Sequence, residues 1–136
     1  MYQKKFEWIL YLVLAKELLI SNSLEQELKT NENIKEAYCR TSISRAYYAA
    51  FCTARNYLRD TLNIKISKVD AHAFVISEFK EQRKLKNSHN ISNALFSLRK
   101  YRNMADYDDI CKIGLDRIAQ QAVKDSEMII GFISAL

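Results

Sequence analysis

Proline is absent from these 136 residues, and glycine occurs only twice, at Gly114 and Gly131. The two strongest breakers of regular structure are therefore nearly missing. That excludes an all-β fold with its many tight turns and predicts long helices joined by short connections. Cysteine is scarce as well: Cys39, Cys52 and Cys111 form an odd set with no CxxC pair and no paired histidine nearby. This argues against a disulfide framework or a zinc site and for the reducing cytoplasm. The three thiols are expected to act as small, half-buried apolar side chains. No residue pattern implies a metal or a cofactor. Long apolar runs are missing too. The stretch Trp8 to Ala15 ends at Lys16 and Glu17, well short of the roughly 20 residues a membrane span requires, and no small-residue cleavage site follows it. A buried first helix is the expectation, in a soluble intracellular chain without a membrane segment.

A chain of this length is expected to form one domain, residues 1–136, able to bury a core without metal or disulfides. Its net charge of +5 is unevenly spread. Residues 31–104 carry fourteen basic against six acidic side chains, whereas residues 105–136 carry three against six. A basic middle and an acidic end fit an anionic partner for the central helices, and solvated helix faces give the same count.

Apolar periodicity predicts the elements. A first helix covers about Lys4 to Ile20, with Ser21-Asn-Ser23 as a stop or new cap and Leu24 to Lys29 as a short continuation. Thr30 to Asn33 offers N-caps for a long second helix reaching about Leu62. Within it Tyr47, Ala50, Phe51, Ala54, Leu58 and Leu62 form one stripe, and Arg45, Tyr48, Cys52 and Arg55 the adjacent one. Ser67-x-x-Asp70 resembles a capping box for a third helix from about Val69 to Lys84. Lys86 to Asn90 reads as a loop, a fourth helix ends near Ala105 or Asp106, and a fifth follows Gly114. The expected architecture is all-α, an up-and-down bundle of four main helices plus one shorter element.

Arg102 is the most informative residue. It falls in the stripe Ile91, Ala94, Leu95, Leu98, Ala105, which should face the core, and a guanidinium is almost never fully buried unless paired. Either Asp106, one turn on, satisfies it as a structural ion pair, or both line a cleft or subunit interface where charge is used.

Ser42-Ile-Ser-Arg-Ala-Tyr-Tyr-Ala-Ala-Phe51 and Leu98 to Asp109, with a histidine near the start of the third helix, together resemble the HEPN family of helical-bundle domains, closest to its small stand-alone prokaryotic members. The resemblance implies a metal-independent ribonuclease or a nucleotide-binding descendant, in a toxin–antitoxin or antiviral setting. It also implies a homodimer that joins two copies of an Arg…His motif in one cleft. Arg102 holds the Arg position and Asn103 the Asn often beside it, but positions 107, 108 and 109, where histidine would stand, are Tyr, Asp and Asp. Cleavage needs a proton acceptor, a proton donor and a cation on the phosphorane. Arg102, Asn103, Asp106 and Tyr107 are thus the candidate catalytic set, and Asp106 or Tyr107 could replace the histidine only with a strongly shifted pKa.

Arg45, Tyr48, Lys100 and His72 are the candidate nucleic-acid-binding set. Arg45 and Tyr48 serve either as a structural link to the fourth helix or as a phosphate and base platform. His72 serves either as a helix-end hydrogen-bonding group or as the mouth of a cleft. Lys80, Arg83, Lys84 and Lys86 fit a solvated helix end. Three functions follow: an RNA- or nucleotide-binding dimer with or without cleavage; a partner of a minimal nucleotidyltransferase, or of an antitoxin, with Tyr107 as the residue modified by the transferase; and a purely structural dimerisation module.

Overall fold

The computed structural model describes residues 4–28 and 34–136. Five helices make the bundle: α1 (Ile9–Leu28), α2 (Lys35–Asn56), α3 (Ala71–Glu81), α4 (Ser88–Tyr107) and α5 (Leu115–Ser134). No strand occurs among the described residues. The central element is α2, which packs against each of the other four helices. Its small side chains Ala46, Ala49, Ala50 and Ala54 are fully buried, so the neighbouring backbones can approach it closely. Tyr47, Ile43 and Leu58 fill the remaining space together with Val75 and Phe79 of α3, Leu95 and Leu98 of α4, and Ile129 of α5. Two buried serines tie helices by donating to carbonyls of a neighbouring helix, which satisfies their own hydroxyls: Ser42 Oγ donates to Ala15 O at 2.8 Å and Ser92 Oγ to Ile76 O at 2.8 Å.

Several boundaries differ from the periodicity reading. The helix α1 begins at Ile9, not Lys4, and runs straight through Ser21-Asn-Ser23. Locally these residues favour a cap, but Asn22 is buried and its Nδ2 donates to Asp116 Oδ1 of α5 at 2.9 Å. A tertiary partner has overridden the local preference. The cap candidates Thr30 to Asn33 lie outside the described residues. At the far end α2 continues into a π turn over Tyr57–Thr61, with Leu62 N–H reaching Tyr57 O. Asn63, at φ 55°, then turns the chain in the left-handed region.

Ser67 does not cap α3. Asp70 does, its Oδ1 accepting from Ala73 N–H at 3.1 Å, and the helix ends at Glu81 rather than Lys84. The expected loop Lys86 to Asn90 is shorter than read: α4 starts at Ser88 after Asn87, at φ 63°, so His89 stands in its first turn.

The outer side of α1 is apolar as well as the inner. Ile9, Val13, Ile20, Leu24 and Leu28 repeat at helical spacing and are all about half or more exposed, interrupted by Lys16 and Glu17. Lys16 pairs with Glu127 of α5. No described helix is long and apolar enough to cross a membrane.

Candidate functional site

The polar stripe of α2 predicted from the sequence, Arg45, Tyr48, Cys52 and Arg55, runs beside the buried row Tyr47 and Phe51. Three other helices add side chains to it. Arg102 comes from α4, His72 from the first turn of α3 and Tyr11 from α1. Helical periodicity places Arg102 in the core stripe of α4, and the structure buries it to 5% exposure. Its neighbours, however, are rings. The guanidinium carbon lies 5.1 Å from the Tyr47 ring centroid, 5.4 Å from Tyr48 and 5.8 Å from Tyr107. Nη1 is 3.5 Å from Tyr107 Oη, and Nε has no hydrogen-bond partner.

The ion pair with Asp106, one of the two readings of the sequence, does not form. That carboxylate is exposed and accepts from Ser44 Oγ of α2 at 3.1 Å. Cation–π attraction, which strengthens as water is removed, is what the fold offers this charge in place of a counter-ion.

A second guanidinium extends the pattern. Arg45 stacks 4.5 Å from the Tyr11 ring and 5.5 Å from Tyr48, and its Nη2 donates to Ser44 Oγ. Tyr48 therefore lies between two cations. Among the described residues neither Arg45 nor Arg102 is in an ion pair. Arg99 does find one, with Asp70 Oδ1 at 3.1 Å.

His72 closes the cluster on the α3 side. It stacks on Phe51 with centroids 4.3 Å apart, and its Nδ1 is 2.5 Å from Tyr47 Oη. Burial pushes the Tyr47 hydroxyl well above the usual phenol range, opposed by the charges of Arg102 and Arg99. Burial also lowers the pKa of His72, helped by the same two arginines and opposed by Asp70. Assigning the protonated phenol as donor and the neutral imidazole as acceptor leaves the ring proton on Nε2. His72 then offers a donor to any anion at this face.

The sign of the His72 shift fixes a pH window. A histidine whose folded pKa is depressed favours the native state above its unfolded value of 6.5, and that advantage is lost as pH falls. Stability of the chain is expected to drop as the pH falls below 6.5, and His72→Gln should flatten that part of the profile. Asp60 and Asp70, both held below their ordinary 3.8, act only at lower pH. Denaturant midpoints measured across this window check it. An unchanged slope in the variant would refute the assigned environment of His72.

The remaining candidates are placed less centrally. Tyr107 is 72% exposed and the outermost of the three rings around Arg102. Asn103 is exposed on the neighbouring side of α4. Lys100, two positions before Arg102 and so about 200° round the helix, is exposed with its Nζ 5.9 Å from the Phe96 ring. It does not join the cluster.

Sequence reasoning missed Arg40. Its Nη1 donates to Ala105 O at 2.9 Å and Asp108 O at 2.6 Å, and its Nη2 to Glu36. It thereby caps the C-terminal turn of α4 that carries Asp106 and Tyr107. Its signal was present: Arg40, Ser44 and Tyr47 are spaced by four and three on the side of α2 that meets α4. Cys39 lies away from this face, and burial together with Asp116 pushes its thiol up to about 12, which makes it inert. Among the described residues no group of His, Cys, Asp or Glu is arranged to hold a metal ion.

Among known families, the model of the HEPN domain matches residues 17–136, from the middle of α1 through α5. No curated protein matches the chain.

Proposed function

This chain belongs to the HEPN-domain family, a family of RNA-binding and nuclease-type domains, and from that premise we propose that it binds RNA at the face built from Arg45, Tyr48, Arg102 and His72, as a homodimer. One observation carries this conclusion. Two guanidiniums, Arg45 and Arg102, are held against tyrosine rings without a carboxylate in direct contact, Asp106 reaching Arg45 only through Ser44 Oγ. A fold gains nothing in stability from such charge, since burying an unpaired cation is costly. A phosphate supplies the missing counter-ion, and tyrosine rings supply stacking surface for bases. His72 Nε2–H adds a donor beside them.

The second copy is supported by α1, whose outer row Ile9, Val13, Ile20, Leu24 and Leu28 leaves more apolar surface in water than a small domain ordinarily does. The finer role is that of an effector in a toxin–antitoxin or antiviral system. As a nuclease it would lack a histidine at positions 107–109, and His72 would be the one imidazole beside Arg102 to move a proton.

Sedimentation velocity of the purified chain with a labelled single-stranded RNA reads both claims at once. The expected result is a species of twice the 15.9 kDa chain mass that carries the label. The labelled fraction should fall steeply between about 50 and 200 mM salt, because each neutralised phosphate releases counter-ions. A monomer, or a dimer without label at low salt, would overturn the corresponding half.

The exposure of Tyr107 favours a second reading. Its hydroxyl stands at the surface 3.5 Å from Arg102 Nη1, an accessible acceptor for a nucleotidyl group from a partner transferase. A mass increase on Tyr107 in protein isolated from its own cell is the signature of that role.

A further inference from the structure

We propose that the RNA-binding face extends to a second subsite at Arg55 and Trp8, so that a single-stranded segment lies along α2 from Arg45 to Arg55. This rests on the reading of the face as an RNA site. Arg55 is the third guanidinium on the polar stripe of α2, and like Arg45 it is in no ion pair among the described residues. Its Nε and Nη2 both donate to Asn56 Oδ1, at 3.1 and 3.0 Å. A neutral amide orients the fork without cancelling its charge. The guanidinium carbon lies 5.6 Å from the Trp8 ring and 6.0 Å from Phe51, which repeats the cation-on-ring arrangement of Arg45 and Arg102.

The rings are continuous between the two subsites. Trp8 meets Tyr11 edge-on at 5.3 Å, and Tyr11 in turn carries Arg45. Phe6, half exposed, packs edge-on against both Trp8 and Tyr11. On the other flank Phe51 stacks on Tyr47 and His72. The acid that senses Arg55 is Asp60, and its carboxylate is already engaged by Arg59 at 2.8 Å and Lys5 at 3.8 Å. This end of the face is therefore cationic overall.

The dimensions fit a strand. Ten residues of α2 separate Arg45 from Arg55, about 15 Å along the helix axis. At about 3.4 Å per stacked nucleotide, that spans roughly four nucleotides. Rings interleaved with guanidiniums offer flat surfaces that only unpaired bases can reach, so a single strand is the ligand and a duplex is not. Packing alone would be served equally well at position 55 by an uncharged side chain.

The test compares single-stranded oligouridylate of two and six nucleotides with the full chain, by fluorescence anisotropy at several salt concentrations. The wild type is expected to bind the hexamer at least about tenfold more tightly than the dimer, as an added stacking and phosphate contact would give. Arg55→Gln should reduce that ratio by about fivefold and lower the salt slope for the hexamer by about one unit. Arg55→Lys keeps the charge and should keep the slope, which guards against a variant that merely misfolds. A ratio and slope unchanged in Arg55→Gln, with Arg45→Ala still weakening both oligomers, would refute the second subsite and leave the RNA reading standing. Tighter binding of a six-base-pair duplex would refute the single-strand assignment. Absence of binding by the wild type at either length would overturn both proposals.

Discussion

Replacing Arg102 with Met is expected to make the protein more stable and less able to bind RNA. The two effects have one cause. Arg102 holds a full charge at 5% exposure with no carboxylate partner and with Nε unbonded. Three ring contacts, each worth about 0.5–2 kcal/mol depending on desolvation, offset only part of the cost of removing that charge from water. Met has a similar length, no charge and favourable contacts with aromatic rings. The substitution should raise the unfolding free energy by about 1–2 kcal/mol, as replacing poorly compensated buried charges by apolar residues has done elsewhere.

The loss of binding follows from Coulomb's law. A phosphate about 6 Å from the guanidinium, at the surface of Tyr48 or Tyr107, interacts with it by about 3 kcal/mol at an effective dielectric constant near 20. Removing that attraction should weaken RNA binding by at least about tenfold. Denaturant midpoints at unchanged m-value give the first number, and anisotropy titrations at low salt give the second. A destabilisation of about 3 kcal/mol with unchanged RNA affinity would mean that the rings satisfy the cation and that its role is structural.

Arg40→Ala should have the largest effect on stability of any single surface-reaching side chain. The last carbonyls of a helix have no partners within it. At the end of α4, Arg40 donates to the carbonyls of Ala105 and Asp108, with longer contacts to Met104 and Asp109. It is a cation at the negative end of a helix dipole, anchored by Glu36 one turn before it in α2. Hydrogen bonds to a charged group contribute about 1.5–3 kcal/mol each, and less than additively when they share one donor group. A loss of about 3 kcal/mol is expected for Arg40→Ala. Arg40→Lys should recover less than half of it, because a single ammonium cannot span carbonyls that a planar fork reaches together.

The damage should also be local. Amide exchange at Asp108, whose N–H bonds Met104 O, should accelerate before the core does. A cost within about 0.5 kcal/mol would show that water caps this helix equally well.

Arg40 and Arg102 also mark where the sequence was legible and where it was not. The burial of Arg102 could be read from its place between Leu98 and Ala105, because period alone decides which way a helical residue points. What surrounds it could not. The sequence offers Asp106, one turn away on the same helix, whereas the fold supplies Tyr47 and Tyr48 from α2, and such neighbours exist only after the helices have packed. The spacing of Arg40 with Ser44 and Tyr47 showed which side of α2 it occupies, but not its role, because its partners are carbonyls, which every residue carries. The five helices were legible from apolar spacing and from the lack of proline. Their ends were less so, because Asn22 and Ser67 resemble caps locally, yet one is held by Asp116 and the other gives way to Asp70. Lys100 illustrates the remaining gap: charge and proximity in sequence placed it with Arg102, and helical rotation sets it apart.

A helix that is greasy on opposite sides has no hydrophobic reason to prefer one orientation over its reverse. For α1 both flanks carry apolar side chains, Leu12 and Ala15 against the bundle and Val13 and Ile20 outside, the outer flank being interrupted by Lys16 and Glu17. Asn22 breaks that degeneracy, since only one rotation lets its amide meet the Asp116 carboxylate. With Ser42 on the Ala15 carbonyl and Lys16 on Glu127, this polar contact keys the helix into place, and the same keys decide which of its two oily flanks is left for another molecule to find.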